Sequence, residues 1–108
     1  MTVEEAGKID MMGLDKKTGV AVLGISDHLQ WDEVDHIPCL ERKIGSYLDF
    51  IQSGQLFEML PTAKTPVRIE LIYLHELTDT AERILQVGQQ QLAEMGITFR
   101  YFSTRQTA

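Results

Sequence analysis

Apolar and polar positions along this chain repeat with two different periods, and the switches between those periods mark out its elements. Lys8 to Leu14 and Val20 to Ser26 are apolar runs on either side of Asp15-Lys16-Lys17-Thr18-Gly19. An Asp-led turn closing on glycine between two such runs predicts a β-hairpin. The second run is apolar at nearly every position, as in a strand covered on both faces. Ile37, Leu40, Ile44, Tyr47, Leu48 and Ile51 then recur at spacings of three and four, which lines them along one helical stripe. Cys39, Lys43, Ser46 and Phe50 form a mixed stripe on its flank. Pro38 fits only a first helical turn, so the helix starts near Asp35, and Ser53-Gly54 ends it. Gln55 to Leu60 is a further short turn or helix stopped by Pro61.

Pro66 to His75 is the clearest strand. Val67, Ile69, Leu71 and Tyr73 take one face, while Arg68, Glu70, Ile72 and Leu74 take the other. Thr78-Asp79 opens a second helix, with Glu82 three residues after Asp79 in capping-box spacing. Ala81, Ile84, Leu85, Gly88, Leu92 and Met95 are its expected buried stripe, Gly88 allowing a close approach to the sheet, and Gly96 its stop. Ile97 to Phe102 is the last strand. Residues 67 to 102 therefore read as one βαβ unit with parallel strands and a right-handed crossover.

The element order ββαβαβ predicts an α+β fold of α/β-like character. It is a four-stranded mixed sheet with both helices packed on one face. One domain over residues 8–102 is expected, with a frayed segment at 1–7 and a tail at 103–108. Two helices cover one sheet face only, yet Ile72 and Leu74 make the other face partly apolar. A twofold homodimer burying that face or an edge of it would resolve the mismatch.

Composition narrows the function classes. The chain has 108 residues, 44% apolar and 24% charged, the profile of an ordinary globular domain. Its net charge of −6 argues against nucleic acid as a partner, because phosphate affinity rests on clustered Lys and Arg. No apolar run approaches a membrane span, and the first ten residues lack the basic start and apolar core of a secretory signal. A lone cysteine, Cys39, points to a reducing cytoplasm.

The chemistry gathers in residues 24–38, which hold two of the three histidines, Trp31 and four acids. Parallel strands place their carboxyl ends, and the N-termini of the helices that follow, on one edge of the sheet. Asp27, His28, Trp31, Asp32, Asp35 and His36 would thus share a rim with His75, which leaves the next strand. Two readings follow. The rim is either an acidic protein-binding surface around Trp31, with Phe50 and Tyr101 as flanks, or an acid–base or metal site built from Asp27, His28, His36 and His75, with Asp32 as a further acid. Asp35 and Asp79 have a purely structural explanation as helix caps. No glycine-rich phosphate loop, HExxH, CxxC or Gly-x-Ser-x-Gly elbow is present, and no cofactor is predicted.

Several segments also carry a resemblance. Asp10…Gly13-Leu14-Asp15…Thr18-Gly19, Ile25-Ser26-Asp27-His28-Leu29 with Trp31, and Tyr47…Ile51-Gln52-Ser53-Gly54-Gln55 resemble a family of small bacterial proteins catalogued only as a domain of unknown function. That resemblance implies a stand-alone bacterial cytoplasmic domain and transfers no site. The sequence reading is accordingly a non-enzymatic interaction module, of a regulatory or toxin-neutralising kind, acting as a homodimer. The alternative is a small metal-dependent or acid–base enzyme using the rim.

Overall fold

The computed structural model describes residues 9–104. Its elements are β1 (Met11–Leu14), β2 (Val20–Asp27), α1 (His36–Gln52), α2 (Gln55–Met59), β3 (Lys64–Tyr73), α3 (Asp79–Glu94) and β4 (Thr98–Ser103). The expected frayed segment at 1–7 and residues 105–108 of the expected tail lie outside the described residues. Ser103, placed in that tail by the sequence, closes β4.

The sheet order is β1-β2-β3-β4, with β1 antiparallel to β2 and the other three strands parallel. The hairpin forms where expected. The Asp15 carboxylate accepts from the Lys17 and Thr18 N–H groups, and Gly19 takes the left-handed conformation (φ 78°) that closes the turn. The two crossovers, β2–α1–β3 and β3–α3–β4, step in the same direction between neighbouring parallel strands, and their helices pack into one shared core. The sheet face turned to that core carries Ala21, Leu23 and Ile25 of β2, Val67, Ile69 and Leu71 of β3, and Phe99 of β4, all buried. Leu40, Tyr47, Leu56, Leu85 and Leu92 cover it from the helices.

The opposite face is less apolar than the alternation suggests. Register sets Val22, Arg68 and Thr98 in one cross-strand row, Gly24, Glu70 and Arg100 in the next, and Ser26, Ile72 and Phe102 in the third. Arg68 is paired with Asp15 at 2.8 Å and lies 2.9 Å from Glu70, although its Nε makes no aligned hydrogen bond. Met11 folds back over Gly24, so that a Cβ there would meet its terminal methyl at 2.6 Å. Charge and one methionine cover the middle of this face.

Both long helices are rotated relative to their apolar pattern. The fully buried line of α1 is His36, Leu40, Lys43 and Tyr47, while Ile37, Ile44, Leu48 and Ile51 are half-buried on its flank. In α3 the buried line is Ala81, Leu85 and Leu92, and Ile84 and Met95, expected in the core, are exposed. Nor does Gly88 serve sheet packing, since a Cβ there would meet nothing within 4 Å. The cap of α3 is Thr78, whose hydroxyl accepts from the Ala81 N–H; this moves the expected Asp79–Glu82 box out of frame by one residue. Asp35 stands at the N-cap of α1 in helical conformation and makes no side-chain cap bond, so its expected capping role is not realised.

Candidate functional site

Because β2 and β3 run parallel with Asp27 opposite Tyr73, the segments Asp27-His28 and Leu74-His75 leave the sheet at the same edge. The chain from β2 then turns back over that edge to start α1. Asp27 sits on the helix-facing side of β2 and His36 is the first residue of α1 on its sheet-facing line, so the two side chains meet in the interior. Their Oδ2 and Nε2 atoms are 2.5 Å apart, with both side chains fully buried.

The other ring nitrogen of His36, Nδ1, lies 2.9 Å from the Gln30 carbonyl. A carbonyl only accepts, so Nδ1 carries a hydrogen, and a second proton must bridge Nε2 and Oδ2. The second carboxylate oxygen of Asp27 accepts from the Leu29 N–H. Trp31 stacks on the His36 ring at 4.0 Å between centroids and meets Tyr73 edge-on at 6.0 Å. Its indole N–H donates to the His75 carbonyl at 2.8 Å. Tyr73, beneath it, has its hydroxyl pKa raised, first by burial and then by Tyr101, Glu82 and Glu76. Asp27, His36 and Trp31 are thus one internally satisfied knot tying the β2–α1 loop to the end of β3.

The remaining rim residues are placed differently. Asp32 and Asp35 are exposed, as is His28, while His75 is half-buried and engages Trp31 through its main chain. Of the four residues considered as metal ligands, Asp27 and His36 come together. Among the described residues no three His, Cys, Asp or Glu side chains are grouped to hold a metal ion. Beside the knot, Leu29, Glu33, Val34, Asp35, His36, Cys39 and Arg42 line an open depression of about 590 Å³. Val34 stands at the tip of the loop, 88% exposed, with acids on both sides. An Arg42 N–H donates to the Cys39 sulfur at 3.3 Å.

A second buried polar knot lies under the middle of α1, and nothing in the hydrophobic pattern announced it. Lys43 Nζ is 2.8 Å from Asp10 Oδ1, both side chains being essentially inaccessible. The other Asp10 oxygen accepts from the Ser26 N–H. The Asp10 N–H donates to the Tyr47 hydroxyl, which in turn donates to the Gly24 carbonyl at 2.6 Å. Burial pushes the Tyr47 pKa up to about 12; the bond from the Asp10 N–H opposes this rise and the Asp10 charge adds to it. One signal was available. Lys43 is seven residues after His36, on the line through Leu40 and Tyr47, so a sheet-facing lysine needs a buried acid nearby.

The profile of one protein family matches residues 1–105, almost the whole chain. The chain belongs to the family of unknown function DUF6572. This agrees with the resemblance read from the sequence. No curated protein and no solved structure matches it. For this DUF6572 member the geometry of its own residues therefore carries the functional reading.

Proposed function

We propose that the protein is a non-enzymatic interaction module that presents the β2–α1 loop to a basic partner and acts as a homodimer in the cytoplasm. The observation carrying this reading is the division of labour at the rim. Its acid–base groups, Asp27 and His36, face one another and the Gln30 carbonyl in the interior, both side chains inaccessible to solvent although His36 lies in the lining of the depression. What the loop turns outward is Asp32, Glu33, Val34 and Asp35, all exposed. An apolar tip ringed by three carboxylates on a loop stapled at both ends suits a basic surface with a small apolar recess. Stapling also lowers the entropy lost on binding. Occupying a basic surface on another protein is the physical content of a regulatory or toxin-neutralising role.

The test is capture from a lysate of the source organism, with wild type beside a variant carrying Asp32→Lys, Val34→Glu and Asp35→Lys. The reading expects a stoichiometric protein held by wild type and lost by the variant, with an unchanged melting temperature. Recovery of no such protein, or equal recovery by both baits, contradicts it.

A further inference from the structure

We infer that α3 is the homodimer surface, pairing antiparallel with α3 of a second copy about a twofold axis. This inference rests on the homodimeric part of the reading above and names its interface. Ile84, Val87 and Met95 are 37, 52 and 48% exposed and lie with Gln91 on one flank of α3, at successive spacings of three, four and four. Gly88 adjoins this stripe. A mid-helix glycine weakens a helix relative to alanine. The chain's own packing does not require it, because a Cβ there would have open space around it. A second helix lying close along the stripe gives that glycine a use.

Charge selects a second copy as the occupant. In a chain of net charge −6, residues 84–93 of α3 carry no charge at all. Arg83 and Glu94 bound this neutral stretch, both exposed and both on the same side of the stripe. An antiparallel twofold pairing centred between Gly88 and Gln90 brings Ile84 to Met95 of the partner subunit. It also sets Arg83 against Glu94 of the partner subunit, twice over. The surface is complementary to itself in that orientation, whereas a parallel pairing would oppose Arg83 to Arg83 of the partner subunit. The open sheet face offers no such match, because its central Arg68 is already paired within the chain.

The experiment is sedimentation equilibrium on full-length protein across a concentration series. Wild type should approach twice the 12.3 kDa of one chain. Val87→Glu should weaken association at least about tenfold, the equivalent of one desolvated like-charge insertion of ~1.4 kcal/mol. Arg83→Glu and Glu94→Arg should each weaken it, and the double variant should restore it. Within one helix these residues are roughly 16 Å apart, so an intrachain contact cannot produce that rescue. Circular dichroism checks that each exposed-site variant remains folded. A wild type that stays monomeric overturns the homodimer reading and the inference together. A dimer indifferent to Val87→Glu overturns the α3 surface alone, and single charge variants without rescue overturn the antiparallel register.

Discussion

Replacing His36 by alanine removes the centre of the β2–α1 knot, and its effect can be worked out contact by contact. A buried hydrogen bond to a charged group contributes about 1.5–3 kcal/mol. The Gln30 carbonyl keeps the Glu33 N–H at 3.2 Å, so losing the His36 donor there adds little more. Loss of the stack on Trp31 adds roughly 0.5–1.5 kcal/mol. Some of this is recovered if water enters the space, so the expected loss is about 2–4 kcal/mol, a large share of the ~5–15 kcal/mol that holds a domain of this kind together. In urea, with a slope of roughly 1–3 kcal/mol per molar, the midpoint should fall by about 2 M with little change in slope. Asp35→Ala, one residue earlier and without a cap bond to lose, is the control and should stay within about 0.5 kcal/mol. A His36→Ala variant as stable as the Asp35→Ala variant would refute the claim that the knot is a structural staple.

Other consequences are equally specific. Lys43→Met leaves Asp10 charged and unpaired in the interior and should cost about 3–5 kcal/mol in the same urea assay, with Asp10→Asn in that background recovering part of the loss. For Tyr47, the unfolded phenol ionises near 10 and the folded one near 12, so stability is intact below pH 10 and is lost as pH rises toward 12, by roughly 2–3 kcal/mol in total. Tyr47→Phe should flatten that alkaline limb of the urea midpoint against pH. Asp15 shows the opposite sign. Its bond to Arg68, helped by the Lys17 and Thr18 N–H groups, holds its pKa down to about 2 against 3.8, so its contribution is present above pH 4 and disappears as pH falls through 2. Asp15→Asn should make acid unfolding less steep over that range.

The topology was legible because it rests on strong periodic signals. Alternation in Val67–Tyr73, the Asp15–Gly19 turn and the βαβ spacing together specify which strands are parallel, and hence that Asp27 and His75 leave the sheet at one edge. Helix rotation was less legible. An apolar pattern cannot see that His36 and Lys43 are buried as members of polar knots, so it assigns the core line of α1 to the isoleucines beside them. Ile84 and Met95 were misplaced for another reason, since their apolar character reads as core although the fold of the single chain leaves them exposed. In the rim, the sequence placed Asp27, Trp31 and His36 at one edge of the sheet, where the structure joins these three. The direct meeting of Asp27 with His36 required the reversal of the β2–α1 loop, and Asp10 required a contact across 33 residues with Lys43. Long-range pairings of that kind leave no local spacing to read.

The rim knot is an internal staple, and the single indole N–H of Trp31 is its built-in reporter. Its hydrogen-exchange rate can be followed at one resolved position in a ¹⁵N-labelled sample. Donated to the His75 carbonyl and closed over by His36, that proton should exchange only through openings close in free energy to global unfolding. Exchange at the rate of a solvent-exposed indole, with the rest of the core protected, would show a rim open to ligands and would contradict the account.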